Sequence, residues 1–458
     1  MAEAPDDRRP MSLDEAIAMA VLFQKAGHLD QAADLYRQIR HQVPDHADVL
    51  HYSGILAHQQ GRHDEAIDLI ERSLALTPGN ADAYSNLGIV LKSQGRVEDA
   101  IAAFGRALVL EPRHTNAQSN LGVLYRAQGR FAEAEAAYRA VLAIDPEHID
   151  AWHNLGVLLG STKRTKEAVL CYCKVTTLSP HHPQARRLLA LAYCTIGRRD
   201  KAVEIFGQWL QEAPDNPVAR HLLAACSGEA VPARAADAFV ETTFDQFAAS
   251  FESKLKQLSY RAPTLVQAML ADAGLPESRQ LVILDAGCGT GLCGPLVAPY
   301  ARRLVGVDLS AGMLDQARGK GVYDELVKEE LTAFVTRHRS AFDVILSADT
   351  LCYFGSLEAV AEGAARSLTP GGWLVFTVEE AVEDAAPDGY VLETHGRYAH
   401  TARYITEVLR RAGLTPTLVR AELRMESGVP VAGLVVRAVK QDAGEGALYS
   451  AEAQDHHG

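Results

Sequence analysis

The residues best suited to chemistry lie in one short stretch, ILDAGCGTGLCG at 283–294. Asp285 places a carboxylate at the end of an apolar run, and Gly287, Gly289, Gly291 and Gly294 follow it. A glycine-rich turn lets backbone approach a bound cofactor, because no Cβ stands in the way. Two spacings overlap here. From Gly289 the letters read G-x-G-x-x-G, the spacing of a turn that cradles a dinucleotide pyrophosphate. From Asp285 they read D-x-G-x-G-x-G, with a carboxylate in front that can accept from an ammonium or a hydroxyl. A second acid, Asp308, falls 19 residues after Gly289 and can hold ribose hydroxyls under either spacing.

These residues need a scaffold. Apolar runs at 281–285, 303–308, 325–327, 342–348 and 372–379 alternate with helical stretches. That alternation predicts a parallel sheet covered on both faces. Ligands of such sheets gather at the carboxyl ends of the strands, where Asp285, Asp308 and Asp349 would stand. The runs 417–426 and 431–439, joined through SGVP, predict a closing antiparallel hairpin. FDQFAASF (244–251) reads as an amphipathic lid helix, with core packing as the plainer role for Phe244, Phe247 and Phe251.

The first half of the chain is periodic. Gly54, Gly88, Gly122 and Gly156 are each 34 residues apart. The alanines from Ala32 to Ala202 and the prolines from Pro44 to Pro214 keep the same step, and a second glycine series includes Gly95. Small residues at Gly88 and Ala100 let two helices touch. Gly95 suits the left-handed end of the first helix, and Pro112 stops the second. One pair cannot bury its apolar face alone, so the units stack. Six units run from 13–46 to 183–216, and 216–228 reads as a capping helix. Asn86, Asn120 and Asn154 recur on the first helix of three units. Their amides either hold an extended peptide in a groove or are solvated and paired with neighbouring helices.

Bulk properties exclude other classes. The chain has 458 residues, a net charge of −13, 48% apolar and 22% charged residues. Such an acidic balance argues against generic nucleic-acid or acidic-membrane binding. The N-terminus lacks an apolar signal region, and no apolar run reaches membrane-span length. Seven cysteines without paired C-x-x-C spacing read as buried thiols in a reducing cytoplasm. His456-His457 is too short to argue for a metal. The segments 1–12 and 441–458 read as disordered tails.

The periodic half resembles tetratricopeptide repeats. Its asparagine ladder resembles that of O-linked N-acetylglucosamine transferase, which implies a protein or peptide partner. Nothing after 230 resembles a glycosyltransferase. Asp285, the glycine turn, SLTPGGWLVF (367–376) and the terminal hairpin resemble the class I methyltransferases that use S-adenosylmethionine (SAM). Together with GVDLSAGMLDQA (306–317), ADTLCYF (348–354) and GRYAHTARYITEVLRRAGL (396–414), they resemble a bacterial family that fuses these repeats to such a domain. The expected fold is an α-helical repeat superhelix over 13–228, then an α/β Rossmann-like methyltransferase domain over 235–440.

The resemblance implies roles. Gly287, Gly289 and Gly291 would pass close to SAM, Asp285 would accept from its ammonium, and Asp308 from its ribose. Ser310 follows, and Met313 would pack on adenine. Glu330, or Glu329, would meet the adenine amino group, and Arg261 is either the partner of the SAM carboxylate or a surface residue. Asp349, His395 and His400 are candidate bases, and Tyr353, Tyr390 and Tyr398 candidate walls of the acceptor pocket. The expected function is methyl transfer to a small molecule or glycan precursor. The alternatives are a protein substrate presented by the repeats, a scaffold with a relic SAM-binding domain, and a nicotinamide-linked oxidoreductase.

Overall fold

The computed structural model describes residues 11–272, 279–426 and 429–441. The expected tails at 1–12 and 441–458 lie outside this range except for Met11, Ser12 and Gln441. Ser12 is ordered by a capping box with Glu15. Packing divides the chain into two compact units, one ending at His182 and the other starting at Pro183.

The first unit pairs α1 (Leu13–Lys25) with α2 (Leu29–Gln42), α3 (Ala47–Gln59) with α4 (His63–Leu76), and α5 (Ala81–Ser93) with α6 (Val97–Leu110). It continues with α7 (Thr115–Ala127) on α8 (Phe131–Ile144) and α9 (Ile149–Ser161) on α10 (Thr165–Leu178). The recurring alanines Ala32, Ala66, Ala100, Ala134 and Ala168 are fully buried. The partner of the recurring glycine is a ring sixteen residues later. A Cβ on Gly88 would stand 2.7 Å from Phe104, on Gly122 2.5 Å from Tyr138, and on Gly156 2.6 Å from Tyr172. The period is thus a steric lock between the two helices of each pair. Gly95, with φ +74°, makes the turn between them.

The second unit opens with three more helices of the repeat pattern, α11 (Pro183–Thr195), α12 (Arg199–Glu212) and α13 (Pro217–Ser227). Asn216 caps α13 through the Ala219 amide at 2.9 Å, and Gly228 ends it, as a capping helix requires. Next come α14 (Asp237–Asp245), a 3₁₀ turn at Ala248–Ser250, α15 (Phe251–Gln257) and α16 (Ala262–Ala271). The expected single lid helix over 244–251 is therefore a junction. The Asp245 carboxylate leaves its helix to accept from the Ser310 hydroxyl and the Gly312 amide, and the helix stops there.

The sheet follows: β1 (Leu281–Ala286), α17 (Gly294–Val297), β2 (Ala301–Asp308), α18 (Ala311–Arg318), β3 (Glu325–Lys328), α19 (Leu331–Arg337), β4 (Phe342–Ser347), α20 (Glu358–Ser367) and β5 (Leu368–Glu380). It is completed by β6 (Tyr390–Leu392), β7 (Tyr398–His400), α21 (Ala402–Arg411), β8 (Leu414–Glu426) and β9 (Val429–Lys440). The order is β3-β2-β1-β4-β5, all parallel, with β9 antiparallel to β5 and β8 antiparallel to β9. Both faces are covered, so the central strands are apolar throughout. Ile283, Val344 and Val375 pack under α16. Leu284, Ile345 and Leu374 pack with α19, α20 and α21. Among the described residues no helix is long and apolar enough to cross a membrane.

The β6–β7 hairpin was not anticipated. It receives α13: Ala224 and Ala225 pack on Leu392 and Tyr398, and His221 Nε2 lies 2.9 Å from the Gly396 carbonyl. The sixth repeat and its cap are thus built into the sheet's own unit.

The lock predicts opposite effects for two glycine-to-alanine changes. Gly105, in α6, has no atom near its would-be Cβ, so Gly105→Ala should stabilise the repeats by up to about 1 kcal/mol. Gly122→Ala should destabilise them, because overpacking against Tyr138 costs about 1–3 kcal/mol. Thermal melts followed by circular dichroism would show the two signs.

Candidate active site

A cavity of about 400 Å³ opens at the carboxyl ends of the parallel strands. After β1 the chain turns over the sheet edge, and the Gly287 and Cys288 amides donate to the Val307 carbonyl at 2.8 and 3.0 Å. Gly287, at φ +75°, faces the Thr350 side chain so closely that a Cβ would overlap it. Gly289, at φ +53°, faces open space, and both line the cavity. Gly291 does not line it. Its missing Cβ makes room for Tyr323 and Ala317 instead.

The acids beneath this turn are held in different ways. Asp308 lines the cavity at the end of β2 and accepts from the Gly289 and Ser310 amides, both at 2.9 Å. Burial raises its pKa while these amides oppose the rise. Asp285 is only 1% exposed, and its one side-chain donor among the described residues is the Tyr323 hydroxyl at 2.6 Å. Burial pushes its carboxyl up to about 7, with Tyr323 resisting. Glu330 lines the cavity while capping α19, accepting from the Thr332 and Ala333 amides at 3.0 and 2.8 Å. Glu329 also lines it and pairs with Arg337. Met313 presents a buried thioether to the same wall.

Two expected cofactor residues stand elsewhere. Ser310 is fully buried off the wall, where it caps α18 and donates to Asp245. Arg261 is exposed and off the wall, its amide donating to the Leu423 carbonyl at 2.9 Å. Its neighbour Tyr260 reaches the cavity instead.

The rest of the wall carries a buried ion lattice. Asp349, just past β4, adopts φ +57°, and its amide donates to Thr377 Oγ1 at 2.9 Å. Its Oδ2 accepts from Arg424 at 2.7 Å, while its buried Oδ1 has no hydrogen-bond partner among the described residues. Burial raises the Asp349 pKa, opposed by Arg424. Arg424 also binds Glu379 and, at 2.6 Å, Glu426. Arg397 binds Glu379 at 2.5 Å and Glu426 at 2.6 Å. Burial works against the Glu379 charge, yet the two arginines hold its pKa below the ordinary carboxylate range. His395 lies 3.5 Å from Glu379, and burial beside Arg397 pushes it down to about 4, so it is neutral.

Tyr353 and His395 line the cavity as expected. His400, Tyr390 and Tyr398 do not. His400 is fully buried in β7, with Nε2 3.1 Å from the Gly355 carbonyl, and burial pushes it down to about 4. Tyr398 donates to the Pro232 carbonyl at 2.6 Å, and Tyr390 packs against Gly355. These three hold the β6–β7 platform. Residues missed from the sequence are Tyr323, Tyr260, Arg397, Arg424 and, from α11, Arg187. Their partners are remote in sequence, so no local spacing marks them.

Of the asparagine ladder, Asn86 Nδ2 lies 2.9 Å from His51 Nε2. Asn120 accepts from Lys92 Nζ at 2.6 Å and donates to the Asn116 carbonyl. Asn154 is half-buried. Two of the three amides thus pair with neighbouring side chains or backbone.

Comparison with known proteins accords with both halves. Tetratricopeptide-repeat models match residues 17–81, 85–149 and 163–226, and a methyltransferase-domain model matches 284–376, the span from β1 into β5. The chain joins tetratricopeptide repeats to a methyltransferase domain. The glycine turn at 287–291 therefore belongs to a methyltransferase domain and not to a nicotinamide-linked oxidoreductase. Human methyltransferase-like protein 27 is 40% identical over 84 residues, 18% of this chain and 34% of that protein. A ubiquinone biosynthesis O-methyltransferase of Thiobacillus denitrificans is 34% identical over 101 residues, 21% of this chain and 43% of that one. A malonyl-[acyl-carrier protein] O-methyltransferase of Enterobacter lignolyticus is 33% identical over 116 residues, 25% of this chain and 45% of that one. The chain thus spans less than half the length of each of these relatives.

The ion lattice yields a stability prediction. Glu379→Gln would leave Arg397 and Arg424 short of one buried counter-charge. Breaking a buried pair costs about 3–5 kcal/mol. Urea denaturation followed by tyrosine and tryptophan fluorescence should show a loss of that order in the second unit.

Proposed function

We propose that this chain is a SAM-dependent methyltransferase acting on a small-molecule acceptor or glycan precursor, with repeats that dock a protein or peptide. The observation that carries the reading is the row of acids at one sheet edge, Asp285 and Asp308 beneath a glycine turn and Asp349 beside it, all on one cavity. Methyltransferases named for ubiquinone biosynthesis and for malonyl-[acyl-carrier protein] support an O-methylated acceptor.

The residues fit such a donor. The Asp308 carboxylate takes the Gly289 and Ser310 amides on separate oxygens, with the Leu309 amide beside them, and a carboxylate's roughly four acceptor positions leave room for a ribose hydroxyl. Asp285 is a buried carboxyl whose ionised form calls for a cation, as an ammonium provides. Gly287 and Gly289 bring backbone to the cavity, Met313 offers a flat apolar contact, and Glu330 an acceptor for an adenine amino group. When bound, SAM supplies an activated methyl group on a sulfonium that leaves as a neutral thioether. The protein need not protonate a leaving group. Its tasks are alignment and exclusion of water. Phe244, Phe247 and Phe251 wall the cavity and serve the second task. Asp349 takes the acceptor's proton through Oδ1 while Arg424 holds Oδ2, and its raised pKa moves it toward working pH, where a general base is most effective. Tyr353 lines the acceptor side. The asparagine ladder, with Asn154 at its end, offers amides to a groove partner. Asn86 and Asn120 exchange their present partners to do so.

Methyl-labelled SAM added with the full-length protein to a lysate of the source cells tests this reading. Label should enter the small-molecule fraction and vanish with Asp308→Ala. Label in a protein band would mean that the repeats present the substrate. No label, with no binding of SAM to the purified chain, would leave a scaffold. Binding should also depend on pH. A cationic donor favours ionised Asp285, whose free-state pKa is about 7. SAM affinity should therefore be full above pH 7 and fall as pH drops below it, by up to about tenfold per pH unit. Asp285→Asn should flatten that profile in calorimetric titrations.

A further inference from the structure

We propose that Arg187, on the first helix of the sixth repeat, binds an anionic group of the acceptor, a carboxylate or a phosphate. This rests on the methyl-transfer reading above. Arg187 lines the cavity together with Leu191 and, from α13, Leu222. Its guanidinium carbon lies 6.0 Å from the Phe247 ring centroid, and Phe247 lines the same wall. Every other arginine on that wall has a carboxylate partner: Arg234 has Asp237, Arg397 has Glu379 and Glu426, and Arg424 has Asp349, Glu379 and Glu426. Arg187 has none among the described residues.

A guanidinium cannot shed its charge, and a charge withdrawn from water without a counter-ion is costly. Burial pulls the Arg187 pKa below its usual value, opposed only by the Tyr353 phenol. A planar fork of donors on the cavity wall matches a carboxylate or phosphate with two parallel hydrogen bonds. The Lys254 ammonium, 4.0 Å from the Phe247 centroid, adds a second positive charge at this ring. The acceptor thus carries an anion besides the atom that is methylated, and the sixth repeat forms part of the acceptor site.

The test is equilibrium binding of two probes, inorganic phosphate and succinate, to the full-length chain loaded with S-adenosylhomocysteine, by isothermal titration calorimetry. The wild type should bind at least one probe. Arg187→Gln should weaken that binding at least tenfold, and Arg187→Lys should fall between, since it keeps the charge without the fork. Phosphate alone would assign a phosphorylated acceptor, succinate alone a carboxylated one. S-adenosylhomocysteine should bind Arg187→Gln as it binds the wild type, which shows that the cavity is intact. If that variant does not fold, Arg187→Lys decides. Equal probe binding in wild type and variants, or none in the wild type, would overturn the proposal. Failure of S-adenosylhomocysteine to bind the wild type would instead overturn the methyl-donor reading.

Discussion

A carboxylate at the carboxyl end of a buried strand has lost most of its water, and this sheet places one after another along a single edge. Asp285 ends β1, Asp308 ends β2, Glu330 follows β3, Asp349 follows β4, and Glu379 closes β5. Each must be compensated by something other than solvent. The compensation differs from strand to strand and shapes the local chain. Asp308 takes two backbone amides, which fixes the glycine turn on one side and the start of α18 on the other. Glu330 becomes the N-cap of α19. Asp349 and Glu379 share Arg424 from β8, and Glu379 also takes Arg397 from the loop between β6 and β7. Asp285 has a single side-chain donor among the described residues, the Tyr323 hydroxyl, and burial pushes it up to about 7. The elements around the cavity are where they are because these charges need partners.

The same constraint explains why the terminal hairpin is more than a lid on the sheet. Arg424 from β8 reaches three carboxylates, Asp349 after β4, Glu379 on β5 and Glu426 on its own strand. Arg397 repeats two of those contacts from the loop before β7. Replacing such a lattice with apolar groups often costs no stability, so its presence on the cavity wall is better understood through what it positions. It holds one oxygen of Asp349 and leaves the other with no donor among the described residues. Beside it, burial and then Arg397 push His395 down to about 4, against the pull of Glu379 and Glu426.

Much of this was legible in the chain. The 34-residue step gives the repeat helices because glycine and aromatic ring recur with it, as at Gly122 and Tyr138. The central parallel strands carry apolar runs, as in β1 and β4, while β3 at the edge is only Glu325–Lys328, and the hairpin has a turn signal between its two strands. The β6–β7 hairpin escaped because YVL and YAH are too short for a period and are stabilised by α13, more than 160 residues away. Tyr323 escaped because its partner, Asp285, is 38 residues upstream. His400, one of three candidate bases, stands off the cavity, and sequence does not show on which side of a strand a side chain falls. Of the two readings of Arg261, partner of the SAM carboxylate or surface residue, the exposed side chain accords with the second, and the chain at the start of α16 turns Tyr260 to the cavity instead.

Periodicity and packing also draw different borders. The repeat step runs on through Pro214 and the cap ends at Gly228, yet the compact unit that contains the sheet begins at Pro183. The sixth repeat keeps the sequence signature of its neighbours, including a fully buried Ala202. Its surroundings are those of the unit that holds the sheet: Arg187 and Leu191 line the cavity, and α13 rests on β6 and β7. A repeat can serve both roles because its inner face is satisfied by the next helix while its outer residues are free to vary. Removing everything before 229 would thus remove part of the cavity wall together with the repeats. A cut at 182 instead divides the chain where its packing divides and leaves the cavity wall whole.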